Sequence, residues 1–410
     1  MIQERYEQVW RELSVGIVQT QVDAIKRKNI SKIGLRVYDG GCIGVAGAMG
    51  KFDEAALVKK ATANLSLKIP YAFAVAKNRT EKQIFDVSPL SEDVFISEIE
   101  EILGVLRQKH SEFSFSHKAK RIEYQTRLKN SQNVDLFFHN VFLKLVFLLK
   151  DKASSNILDG FFSLESRLYD RKEILRSLAE FCSTYQKQVE LPKEKRLPIV
   201  FTTDMSLPLS KLIGELNGWK VGTKSSLFSE SIGKKVFHER FNLIQTTHPD
   251  DTMDPFFDAE GTVNPYFQCA LVKDGVIVSP YSDKKTAAKF SFPLTASAGS
   301  EYDGVPYLEA KPLKIGESTK TLKELLGGRM AVHALVCSGG NFTAKGDFGT
   351  PSQLAFLFDG EKYLGRLPQL NLSSNMFDMF GPGFIGVSKN SVSPINRERY
   401  LAMDMEVRKL

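Results

Sequence analysis

The chain has 410 residues, 42% of them apolar, which is enough to bury a full core and fits two domains better than one. Its net charge of +7 is dispersed, because basic residues interleave with acids, as in KEKR (193–196) and NRERY (396–400). No helix-turn-helix, zinc-finger or RNP signature accompanies that excess, so direct nucleic-acid binding is not expected.

MIQERYEQVW at the start lacks the basic-then-apolar order of a signal peptide. The best apolar run, VFLKLVFLL (141–149), is short and interrupted by Lys144. The expectation is therefore a cytoplasmic protein with no membrane association. Residues 13–50 alternate in the manner of strands, with a hairpin turn at Asp39-Gly40. Residues 53–64 read as a helix capped by Asp53, with Ala56, Leu57 and Ala61 on one face. A second helix over 91–109 follows from Ile96, Ile99, Ile102, Leu103 and Leu106. Period two returns over 120–150, around a polar turn at Ser131 to Asn133, and predicts another hairpin. A third helix over 170–187 carries Ile174, Leu175, Leu178 and Phe181 on one face.

VELPKEKRLP (189–198) has the prolines and charges of an exposed connection and sets the expected domain division. Residues 1–190 form an N-terminal α+β domain, and 191–410 a β-rich C-terminal domain. The second domain opens with a short strand, IVFTT (199–203), and a short helix, LPLSKLIGELNGW (207–219), with Ser206 as its cap and Asn217-Gly218 as its stop. Asp-Gly hairpin signals follow in VKDGVIV (272–278) and LFDGEKYLG (357–365), with one more helix near 317–327.

Other constellations read as structure. Cys42, Cys182, Cys269 and Cys337 show no CxxC or other metal spacing, which points to reduced thiols. The six histidines include no pair at metal-ligand spacing on a helix. Ser210 and Lys211 are neighbours and point about 100° apart on a helix, which argues against a Ser/Lys dyad. GWKVGTKSS (218–226) misses the phosphate-loop pattern at Thr223 and reads as strand or loop. The acids of THPDDTMDPFFDAEG (247–261) lack the ordered spacing of an EF-hand and read as a solvated loop. GGNFTAKGDFG (339–349) fits either turns or the lining of a peptide cleft.

KSSLFSESIGKKVF (224–237), FFDAEGT (256–262), LVKDGVIVSPYSDKKTAAKF (271–290) and DFGTPSQLAFLFDGEKYLGRLPQLNLSSNMFDMF (347–380) resemble the core of the TldD/PmbA family, known as modulators of DNA gyrase. IGLRVYDGGCIGVAGAM extends the resemblance into the N-terminal region. It implies an α+β fold of two intertwined halves, an N-terminal sheet with helices and a β-rich C-terminal domain. For the TldD-like branch it also implies a zinc metalloprotease whose HExxxH motif supplies two imidazole ligands and a general base, with a downstream cysteine completing the site. Ligands five residues apart diverge by about 140° on a regular helix, so the motif needs local widening, which a glycine before the second histidine permits.

Aligned on Gly214, this chain has Ser210 in place of the first histidine, Lys211 in place of the glutamate and Glu215 in place of the second histidine. A short hydroxyl is a poor zinc ligand and a cationic lysine repels the metal. No cysteine lies in the C-terminal segment that corresponds to the last ligand. The resemblance is thus to the PmbA (TldE-like) branch. It implies no catalytic residue, no metal and no cofactor on this chain, and dimerisation with a TldD-like metalloprotease subunit that acts on peptides. Two other readings are an autonomous hydrolase with a site unlike the family's and a homodimeric peptide-binding protein.

Overall fold

The computed structural model describes residues 1–86, 89–203 and 207–410. Its elements come in the order β1 (Ile2–Val18), β2 (Gln21–Asp39), β3 (Cys42–Met49), α1 (Glu54–Ala63), β4 (Ile69–Pro70), β5 (Arg79–Phe85), α2 (Glu92–Lys109), β6 (Phe113–Asn130), β7 (Val134–Asp151), β8 (Gly160–Ser166) and α3 (Arg171–Gln186). These strands form one sheet in the order β4-β3-β2-β1-β6-β7-β5, with β8 also paired to β7. The architecture is mixed α+β, as the sequence implied.

The expected helices are present with their caps. The Asp53 side chain accepts from Ala56 N, Ser91 from Val94 N, and Asp170 from Lys172 N and Glu173 N. The hairpins are present too, but longer than the sequence suggested. β1 starts at Ile2 and turns into β2 through Gln19 and Thr20, both at positive φ. Thr20 is held there by its N–H to Phe115 O and by its hydroxyl, which accepts from Phe115 N. Polarity hid these strands from the hydrophobic pattern. The outer half of β2 is solvent-exposed, and β1 buries Glu4 and Glu12 among its apolar residues.

β7 explains its unbroken apolar composition. Leu143, Leu145, Phe147 and Leu149 face α2 and α3, whereas Val134, Leu136 and Phe138 face the opposite side and pack on Phe256, Phe257 and Ala259. The crossover leaves Val141, Phe142 and Leu143 all buried. The second half of the chain therefore covers part of the first half's sheet.

After Val189 and Leu191, which pack on the second core, come β9 (Arg196–Thr202), α4 (Leu207–Glu215), α5 (Gly218–Gly222), β10 (Leu243–Thr246), β11 (Gln268–Lys273), β12 (Val276–Ile277), α6 (Lys284–Phe290), β13 (Ala298–Gly299), β14 (Tyr307–Leu308), β15 (Leu313–Ile315) and α7 (Leu322–Leu326). The chain ends with β16 (Ala331–Cys337), β17 (Asn341–Phe342), β18 (Asp347–Phe358), β19 (Tyr363–Arg366), β20 (Leu370–Asn375), α8 (Met376–Met379), β21 (Phe384–Ser391) and β22 (Arg399–Lys409). β16, β9, β22, β20 and β18 pair in that order, and β18 pairs back to β16, so the strands close into a barrel. Its interior holds Ile199, Phe201, Leu372, Leu401 and Met403. The outward residues Val200, Tyr400 and Ala402 pack with Leu322 and Leu326 of α7.

Three sequence expectations need correction here. Asn217-Gly218 does not merely stop a helix: the Asn217 side chain accepts from Trp219 N and Lys220 N and starts α5, so 218–222 is helical rather than strand or loop. The 357–365 hairpin turns through four residues, 359–362, rather than through Asp-Gly alone. The helix near 317–327 starts only at Leu322, behind a capping box of Thr321 and Glu324. Asp274-Gly275 forms the expected turn, with both residues at positive φ. Ser206, the expected cap of α4, lies outside the described residues. Among the described residues no helix is long and apolar enough to cross a membrane.

Candidate functional site

α4 carries the positions of the metal motif. Leu209 and Leu212, with Leu216 just beyond the helix, insert into the barrel core. That orientation leaves Ser210 exposed and Lys211 half-buried, and buries Glu215 to 4% exposure. Lys211 Nζ donates to Glu215 Oε1 at 2.7 Å, and Lys220 Nζ lies 3.6 Å from the same oxygen. Leu227 N donates to Glu215 Oε2 at 2.9 Å. Burial works to raise the Glu215 pKa, but the Lys211 hydrogen bond, the Leu227 N–H and the charge of Lys220 outweigh it and hold the carboxyl below its ordinary value.

These residues do not fit zinc. An ammonium occupies the position of the base, and both oxygens of the sole carboxylate in the motif are already engaged. Gly214 needs no special space either: a Cβ there would meet nothing within 4 Å, and α4 is regular through Glu215. Among the described residues no three His, Cys, Asp or Glu side chains come together in a group that could hold a metal ion. Cys337, at the end of β16, is a free thiol whose pKa burial pushes up.

The acidic segment is not the solvated loop that its composition suggested. Asp258 and Glu260 are buried at 3% and 2% exposure. Asp258 accepts from Glu260 N, Thr262 N and Ala298 N, and so pins its own turn. Glu260 accepts from Tyr71 Oη at 2.7 Å and from Lys284 N at 3.0 Å. Nearby, Arg36 Nη1 donates to Glu4 Oε1 and to Ala259 O, and Tyr38 Oη donates to Glu4 Oε1. These bonds tie the second half to the first half's sheet. Asp251 is bound by Lys314 Nζ and Thr246 Oγ1. Sequence reasoning missed this network because its partners lie as many as 223 residues apart. The 339–349 segment resolves as turns: β17 and β18 form a hairpin around 343–346.

A family model described as the PmbA/TldA metallopeptidase C-terminal domain matches residues 194–397, the region of α4 and most of the barrel. The chain belongs to the TldD/PmbA family. Solved structures share the whole fold. TldE from Thermococcus kodakarensis superposes with a TM-score of 0.78 at 14% identity, covering 99% of this chain and 96% of that one. A candidate modulator of DNA gyrase from Thermotoga maritima gives 0.80 at 15% identity, over 99% and 96%. Another from Bacteroides thetaiotaomicron gives 0.79 at 15%, over 100% and 95%. No curated protein matches the sequence. At these identities the TldD/PmbA structures speak for the fold, and the metallopeptidase description belongs to the family as a whole.

The two most voluminous of the cavities described lie apart from the motif. One, of about 600 Å³, lies between Trp10 and Tyr124 of the N-terminal sheet and Phe257, Glu301 and Lys311. The other, of about 610 Å³, touches Leu207 at the start of α4 but is lined by none of Ser210, Lys211 and Glu215.

Proposed function

We propose that this chain is a non-catalytic, TldE/PmbA-like subunit of a TldD-type zinc metalloprotease complex that acts on peptides. One observation carries this reading: the Lys211–Glu215 pair stands where a metallopeptidase of this kind needs its base and second zinc ligand. The likeness to TldE from Thermococcus kodakarensis supports the same assignment. In that complex the partner chain holds zinc and cleaves the bond, and this chain helps to enclose the peptide. It needs no metal or cofactor of its own.

The test is elemental analysis of the recombinant chain without a chelating tag, followed by co-purification with a TldD-like chain from the same source. Negligible zinc and a stable heteromeric complex with peptidase activity are expected. About one zinc per chain with peptidase activity in isolation overturns the proposal. A stable homodimer that ignores the TldD-like chain also overturns it, in favour of an independent peptide-binding protein.

A further inference from the structure

The cavity of about 600 Å³ lies between the N-terminal sheet and the segments 253–259 and 298–311 that cover it. Trp10 of β1, Tyr124 of β6, Phe142 of β7, Phe257 and Tyr307 give it aromatic walls. Its volume falls within the range of about 300 to 1,000 Å³ usual for a small-molecule site. The polar atoms of several walls are engaged by the protein: Trp10 Nε1 donates to Glu12 Oε2, and Gln8 Nε2 donates to Tyr6 Oη and Tyr124 Oη. These residues offer a ligand mainly ring surface, which suits an apolar stem or a cation.

Asp254 gives this cavity its specific feature. It lines the cavity and is exposed. Its backbone N–H donates to Thr252 Oγ1, but among the described residues its carboxylate meets neither a donor nor a cation. The surrounding walls still act on it: desolvation raises its pKa, Lys311 opposes that shift, and Glu165 and Glu309 add to it. A charge held so is unfavourable until a cation meets it.

The other charges at the cavity do not supply that cation. Glu165 is paired with Lys144 at 2.9 Å, and Lys311 with Glu309 at 2.7 Å. Lys32 lies over the Tyr302 ring at 5.4 Å, and against it stand Asp254 and Glu301. The balance is negative, so an anion would be repelled, and a neutral ligand would dehydrate Asp254 further without pairing it.

We propose that this cavity binds an organic cation, an ammonium group on an apolar stem, with the ammonium on Asp254 and the stem against Trp10, Tyr124 and Phe257. The same group can arrive as a free amine or as the lysine side chain of a peptide. This site is independent of α4 and of the subunit role above.

The test uses the full chain and calorimetric titration of phenethylamine and its neutral isostere phenethyl alcohol into wild type and Asp254→Asn. Wild type should bind the amine about fivefold or more tighter than the alcohol, and the substitution should remove that preference while changing the alcohol less than about twofold. Acetyl-Gly-Lys-Gly-amide, against the same peptide acetylated on its lysine, separates the two sources. Tighter binding of the free lysine supports the proposal with a peptide as source, and a preference confined to phenethylamine supports it with a free amine. Equal affinities of wild type for amine and alcohol, or binding of neither, overturn it. So does an amine preference that survives Asp254→Asn, which would put the counter-charge elsewhere. Should the variant not fold, the carboxyl ¹³C shift of Asp254 in wild type decides: it should move with the amine and not with the alcohol, and a shift indifferent to the amine refutes the site.

Discussion

Lys211 and Glu215 face each other across one turn of α4, with Nζ 2.7 Å from Oε1. The pair is asymmetric: the Glu215 side chain is 5% exposed and that of Lys211 30%. The carboxylate therefore depends on the lysine more than the reverse. Lys211→Met should cost about 1–3 kcal/mol at pH 7, by leaving a buried charge with only the Leu227 N–H and the more distant Lys220. Lys211→Met with Glu215→Gln should regain most of that loss, since a neutral amide can still accept from Leu227 N. Urea unfolding midpoints of the two variants check this. The folded pKa of Glu215 is depressed, so its contribution is present above the ordinary value of 4.5 and fades as pH falls through the folded value. The cost of Lys211→Met should accordingly shrink in acid.

Asp159 should dominate the acid limit of stability. Its buried carboxylate accepts from Tyr185 Oη at 2.6 Å, Ser154 Oγ at 2.7 Å, Asp151 N at 2.9 Å and Asn156 Nδ2 at 3.1 Å, with Lys150 Nζ at 3.2 Å. Burial opposes ionisation, but these bonds prevail and lower its pKa from 3.8 to about 2. Stability from this group is present above 3.8 and is lost as pH falls toward about 2. Asp159→Asn should cost about 2 kcal/mol at pH 7 and flatten the stability curve over that window. Chemical denaturation at several pH values measures both.

Glu260 behaves oppositely. Burial first, and the Asp258 charge second, push its pKa from 4.5 up to about 7, against the bonds from Tyr71 and Lys284. A raised folded pKa means that its contribution is complete below 4.5 and disappears as pH rises through about 7. Glu260→Gln should therefore gain on wild type as pH rises across that interval, read as the difference in Tm between the two proteins.

Gly34 of β2 lies under the 300–304 segment, and a Cβ there would strike the carbonyl of Tyr302. Gly34→Ala should cost about 1–3 kcal/mol and raise hydrogen exchange in that segment while β6 and β7 stay protected. Uniform exchange in all of these elements would show that the segment does not sit on the sheet as an independent cover.

The sequence alone determined the three helices of the first half, because their signals are local. Asp53, Ser91 and Asp170 cap them, and Ile99, Ile102, Leu103 and Leu106 repeat at helical spacing. It also determined that α4 carries neither histidine of the metal motif, since Ser210, Lys211 and Glu215 stand at its three positions and of these only Glu215 is a ligand type. Tertiary structure decided what no local pattern records. The full length of β1 and β2 depends on polar residues, of which Glu4 and Arg36 satisfy each other only after the strands pair. That Asp258 and Glu260 are buried anchors, and that Phe162 of β8, Phe181 of α3 and His333 of β16 line one cavity, depends on contacts between distant segments. Residue type sets the chemistry a side chain can perform, and packing sets its exposure and its partners, which is why the replaced motif positions of α4 were legible in the sequence and the aromatic cavity was not.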